Sequence, residues 1–110
     1  MSVESRIKNA LEPLGYKVYP DNYNGADKTY FVFNINTNPD DFGDNEPQHE
    51  KALIQVHLYC PHTLNSVTLR TNVKKYLSAA GFTYPRKTGA GDADGQHHVF
   101  ECECMEGIDG

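Results

Sequence analysis

Apolar residues recur along this chain with two different periods. Near the start, Val3, Ile7, Ala10, Leu11 and Leu14 follow the 3.6-residue spacing of one helical face, which predicts a helix over 2–14. Ser2 is placed to cap it, Glu4 suits the positive end of its dipole, and Gly15 stops it. Pro13 removes a backbone donor from the last turn and can end the helix a residue or two early. The same spacing returns at Leu69, Val73, Tyr76, Leu77 and Ala80, predicting a second helix over 65–80 with Asn65 or Ser66 as its cap and Gly81 as its stop. Lys74 and Lys75 fall on its solvated side near the negative dipole end, where a structural role accounts for them.

Between the helices the period drops to two. Phe31, Phe33 and Ile35 alternate with Tyr30, Val32, Asn34 and Asn36, and Ala52, Ile54, Val56 and Leu58 alternate with Leu53, Gln55, His57 and Tyr59. These predict strands at about 29–37 and 51–60, each with one face for the core. Shorter extended pieces fall at about 16–20 ("YKVYP") and 82–85 ("FTYP"), and a closing strand at about 96–105. That last strand divides His98, Phe100, Cys102 and Cys104 from His97, Val99, Glu101, Glu103 and Met105. Asn24-Gly25 marks a tight turn, and "RKTGAGDADG" a glycine-rich turn before the closing strand. The order predicts a single α+β domain over 1–110: a two-layer sandwich with a mostly antiparallel four- to five-stranded sheet and two amphipathic helices packed on one face.

Charge changes the picture in one place. The segment 38–50, "NPDDFGDNEPQHE", contains Asp40, Asp41, Asp44, Glu46 and Glu50 with no Lys or Arg, so the net charge of −5 is local and the rest of the chain balances. Sitting between two strands, it reads as a long, mobile acidic loop projecting from the body. Acidity without a basic stripe argues against a protein that grips nucleic acid by its phosphates. With 38% hydrophobic residues in a chain of 110, the composition is that of a folded soluble protein. No apolar run approaches the roughly 18 residues that span a bilayer, and "MSVESRIKNALEPLG" has no leader-like core, which points to the cytoplasm. Cys60, Cys102 and Cys104 fit no disulfide framework and read as reduced thiols.

"GDADGQHHVFECEC", from Gly91 to Cys104, looks chemical. A zinc site would take His98, Cys102 and Cys104 with Cys60 or His57 as the fourth ligand. Cys-x-Cys on a straight strand, however, holds its side chains about 7 Å apart, whereas structural zinc draws on Cys-x2-4-Cys turns. Small buried cysteines beside Phe100 are the better account, with no metal or cofactor. An EF-hand loop counted from Asp92 needs glycine where His97 stands, although Glu103 fills its twelfth position. The glycines match no phosphate-binding spacing. Cys60 and His62 in "YCPHT" are the one local thiol–imidazole pair, and two residues apart they need a special turn to meet. No catalytic residue emerges, and the expectation is a protein that is not an enzyme.

As a whole, the chain resembles the phage and prophage tail terminator and tail-to-head joining proteins. The pieces that carry the resemblance are "RIKNALEPLG" as opening helix, "TYFVFNINT" as a strand turning polar, the acidic segment, "KALIQVHLYC", "TLNSVTLRTNVKKYLSAAGF" as second helix, and the last strand around "HHVFECEC". That resemblance implies a virion structural component, made in the host bacterial cytoplasm and placed in the tail or neck. It would form a homo-oligomeric ring, commonly a hexamer, at the head-proximal end of the tail, between the tail tube protein and the head-completion proteins. DNA would pass through the lumen unbound, and an acidic segment lining that lumen would repel it. Under this reading the contact residues are Asp40, Asp41, Asp44 and Glu46 in the acidic segment, and Arg86, Lys87, Asp92 and Asp94 in the glycine-rich turn. The alternatives are a small metal-binding or thiol-dependent enzyme, or a protein-binding module of the same fold.

Overall fold

Two helices and five strands follow in the order α1 (Val3–Leu11), β1 (Lys17–Pro20), β2 (Tyr30–Gly43), β3 (Glu46–Cys60), α2 (Val67–Ala79), β4 (Arg86–Gly89) and β5 (Gln96–Gly107). This computed structural model describes residues 2–23, 25–43 and 46–107, with the backbone alone at 38–43, 46–50 and 105–107. The predicted α+β architecture is what forms: one five-stranded sheet of order β1-β2-β3-β5-β4, antiparallel except where β1 runs parallel to β2, with the helices packed on it.

α1 forms where its period predicts and ends sooner. The Ser2 hydroxyl accepts the Ser5 N–H at 3.1 Å, and Glu4 and Lys8 pair at 3.4 Å one turn apart. Past Leu11 the chain tightens into a 3-10 turn at Glu12–Leu14 around Pro13, then leaves through Gly15 at φ 95°, which only glycine adopts without strain. α2 begins after Ser66, but the Ser66 hydroxyl makes no capping bond; Asn65 Oδ1 instead accepts the Val67 N–H at 3.2 Å. Its C-terminus closes through Gly81 at φ 98°, with Phe82 N–H donating back to Leu77 O at 3.2 Å. Val73 and Leu77 are fully buried, whereas Tyr76, expected on the apolar stripe, is 40% exposed.

The core lies between the helices and one sheet face. Val3, Ile7 and Leu11 of α1 and Val73 and Leu77 of α2 meet Phe31, Phe33, Ala52, Ile54, Val56, Leu58, Phe100, Cys102 and Cys104. Register explains the set: Phe33 pairs with Val56 and Val56 with Phe100, so the inward residues of β2, β3 and β5 share one side. Arg6 ties the layers together. Its guanidinium lies 4.7 Å from the Phe82 ring centre and donates to Ala80 O at 3.0 Å.

Two expectations are corrected. The segment 38–50 is largely paired strand, not a loop: β2 runs on to Gly43, β3 begins at Glu46, and the pairing continues through Asn38–Lys51 and Asp40–His49 to Gly43–Glu46. Pro39 is compatible with this because its backbone nitrogen lies on the outer side. The Phe33 carbonyl accepts from Asp21 N–H on the β1 side, so odd-numbered residues of β2 turn their backbone groups away from β3, and no ladder bond is lost. The second correction moves a short strand from 82–85 to Arg86–Gly89. Phe82 drops into the core and Pro85 has no N–H, so the ladder to β5 starts only after the proline.

Candidate functional site

Every strand residue in the core cluster has the helix-facing parity, which leaves the other sheet face without a helical layer. Six rings cross that face. Register places Tyr30 opposite Tyr59 and Tyr59 opposite His97. Their rings stack in turn: Tyr30 on Tyr59 at 5.0 Å and 19°, and Tyr59 on His97 at 4.2 Å and 16°. His57 continues the row beside His97 at 5.0 Å, and Tyr19 and Tyr23, stacked at 4.1 Å, close its other end against Tyr30. Strands 4.8 Å apart bring cross-strand rings to stacking distance, so the row follows from register alone.

Ring faces in this row are turned toward one another. A planar ligand therefore finds no free face to stack on along the middle of the row. The row also shelters its neighbours, for Val32 beneath it is only 6% exposed with no helix above it.

Polar atoms within the row are paired. Asn34 Nδ2 donates to His57 Nε2 at 3.3 Å, which puts the His57 proton on Nδ1, 2.7 Å from His97 Nε2, its acceptor. Burial, and for His57 the nearby charge of His97, lowers both imidazole pKa values below the usual 6.5, so both are neutral at pH 7. At the far end Asp27 accepts from Tyr23 at 2.7 Å and Tyr19 at 2.9 Å, and these bonds hold its carboxyl below the ordinary range. The β1–β2 connection is thereby pinned over the end of the row. A shallow groove of about 510 Å³ runs beside it, lined by Asp27, Tyr30, Tyr59, Asp92, Asp94 and His97.

The expected contact residues fall in three separate places. Asp40, Asp41 and Glu46 lie on the far part of the β2–β3 hairpin, and Asp44 lies outside the described residues. Arg86 and Lys87 are on β4, an edge of the sheet. Asp92 and Asp94 form the turn before β5, at the opposite end of the sheet from the hairpin, because Cys60 pairs with Gln96 while His49 pairs with Gly107. Asp92 is occupied in its own turn, its Oδ1 accepting Asp94 N–H at 2.8 Å, and its carbonyl accepts from His62 Nε2 at 2.7 Å.

His62 Nε2 is thus engaged by the Asp92 carbonyl rather than by Cys60. Cys60 is buried, and burial pushes its thiol pKa up. Cys102 is pushed to about 12 by burial and then by Cys104. Both thiols stay protonated at neutral pH, the wrong form for a nucleophile. His98, Cys102 and Cys104 face the core opposite Leu58, Ile54 and Ala52, and among the described residues no three His, Cys, Asp or Glu side chains stand close enough to hold a metal ion. His98 donates from Nε2 to Gln96 Oε1 at 2.9 Å, and its pKa falls to about 4 through burial and the nearby Lys87 and Arg70.

Gln96 organises the junction of β3, β5 and α2. Its amide donates to Pro61 O at 2.9 Å and Leu64 O at 2.7 Å, while its oxygen accepts from Ser66 at 2.7 Å. Beside this junction Lys74, assigned from sequence to the solvated side of a helix, stands with Arg70 and Lys87. Burial and these two cations together lower the Lys87 pKa. Among the described residues none of the three forms a salt bridge.

Sequence reasoning placed Tyr30, His57, Tyr59 and His97 on outward strand positions but not in one row. Their shared parity was the available signal, and the register that aligns them was hidden in the acidic segment. Compared with family models, with curated proteins and with solved structures, the chain gives no match.

Proposed function

We propose that this chain is a structural protein of a long-tailed phage or prophage, a tail terminator or head–tail joining component that assembles with copies of itself at the head-proximal end of the tail. The observation that supports this reading best is the bare sheet face. Tyr30, Val32, His57, Tyr59, His97 and Val99 make an aromatic and apolar surface across β2, β3 and β5 that no helix covers, in a chain that is acidic overall. Surfaces of this composition, aromatic at the centre and polar at the rim, are what protein interfaces bury. The elongated shape, 54 × 24 × 22 Å, also supports the reading, since it sets the two ends of the subunit well apart. The self-stacked rings and the protonated thiols favour a contact surface over a ligand pocket or a nucleophile.

In this role the chain turns over no substrate and holds no cofactor; copies of itself, the tail tube protein and head-completion proteins are its partners, and DNA passes without specific binding. Negative-stain electron microscopy of the concentrated protein, with co-purification against a tail tube protein, tests it. Rings with a central opening, and retention of the tube protein, are the expected results. A protein that stays monomeric and retains neither tube nor neck proteins overturns the reading.

A further inference from the structure

Arg70 and Lys74 lie one turn apart on α2, and Lys87 sits on the helix-facing side of β4, paired with Phe100. Three cations thus converge at the edge of the molecule, and among the described residues none of the three forms an ion pair. Like charges held together repel, and a partly buried lysine among other cations is stabilised by an anionic partner. Arg70 has spent one donor internally, its Nε reaching Ser66 Oγ at 3.1 Å, which orients the guanidinium.

The same chain carries the complementary charge, the acidic segment 38–50, and the sheet keeps the two apart. Lys87 is level with Phe100, Val56 and Phe33, whereas Asp40 is seven residues farther along β2. Seven residues of strand span about 23 Å, and the three strand spacings from β2 to β4 add about 14 Å sideways. No side chain bridges that separation, so the acidic end cannot neutralise its own basic cluster.

We infer that the Arg70, Lys74 and Lys87 cluster is the docking site for the acidic hairpin end, carrying Asp40, Asp41 and Glu46, of a second copy of this chain. Because the two surfaces differ, the contact is heterologous, each copy offering an acidic end to one neighbour and a basic cluster to the other. Repetition yields a closed ring or an open filament, and in either case the acidic segment faces protein rather than a lumen. The inference rests on the self-assembly in the proposed function and specifies its contact.

The test is a charge-reversal exchange read by analytical ultracentrifugation at low and high salt. Lys74→Glu with Lys87→Glu is one variant, Asp40→Lys with Asp41→Lys the other, and circular dichroism confirms that each is folded. Each alone is expected to weaken self-association at least tenfold. An equimolar mixture is expected to restore it, because every junction in an alternating assembly is again complementary. Assembly that survives either variant, or a mixture that stays dissociated while both variants are folded, overturns the inference. A wild-type chain that stays monomeric but binds inorganic phosphate through Lys74 and Lys87 overturns it as well. Electron microscopy separates this from the proposed function: rings unaffected by the variants sink this contact alone, and salt-sensitive open filaments that the mixture restores keep the contact and sink the ring.

Discussion

The two faces of the central sheet are made by alternate residues of the same strands, yet they exclude water by different means. On the covered face Phe31, Val56 and Phe100 reach full burial because α1 and α2 bring a second layer down on them. On the bare face the side chains lean on their cross-strand neighbours, with Tyr30, Tyr59 and His97 stacked face on face across three strands. One face draws its stability from a distant part of the chain, and the other from register within the sheet. The first is a core. The second is a surface already ordered before anything binds, which lowers the entropy cost of docking.

Cutting the covered face produces the largest expected effect. Phe100→Ala leaves a cavity between three strands and the helices, and should cost about 3–5 kcal/mol in urea unfolding. Tyr59→Ala, which removes the middle ring of the row, should cost about 1–2 kcal/mol, the scale of cross-strand and aromatic pairs. Equal losses for the two would mean that the bare face is as tightly packed as the core, and the contrast would fail.

Acid should act on the histidines of both faces. His57, His97 and His98 have folded pKa values below 6.5, so the unfolded chain binds more protons and stability falls as pH drops below 6.5, for His98 down to about 4. Asp27, lowered from 3.8, extends the loss below that pH. His97→Gln should flatten part of the slope below pH 6.5 and leave the His98 part, which runs down to about pH 4, as chemical denaturation across that range would show. An unchanged slope would mean that His97 contributes nothing to it and would leave His57 as the bare face's imidazole contribution. The smallest effect belongs to neither face: Lys8→Ala, which loses an exposed pair to Glu4, should shift stability by no more than about 0.5 kcal/mol.

The sequence was legible wherever one side of an element meets the core. Val3, Ile7 and Leu11 announced α1, and the alternation around Phe33 and Val56 announced β2 and β3, because burial imposes the period. Past Thr37 the apolar alternation stops, and Pro39, Gly43 and Pro47 read as loop signals although the strands run on. With that extension went the register, and with the register the row of rings. β4 was misplaced because Phe82 mimics an inward strand residue, and the Arg70, Lys74 and Lys87 cluster joins a helix to a strand whose pairing no local pattern reveals. The candidate contact residues were found by charge, and their separation into three places was beyond reach without the sheet order.

β5 is the last strand of the five in chain order, yet it lies inside the sheet, between β3 and β4. Gln96 at its start holds the 61–66 connection through Pro61, Leu64 and Ser66. During synthesis, then, the earlier strands can collapse with α1, but β3 keeps an unpaired side and the entry to α2 stays unsecured until β5 emerges. For that interval the nascent chain presents an open strand edge rich in Ile54, Val56 and Leu58, the kind of edge that recruits another chain. Translation of the last strand is thus the step that closes the exposed side of β3.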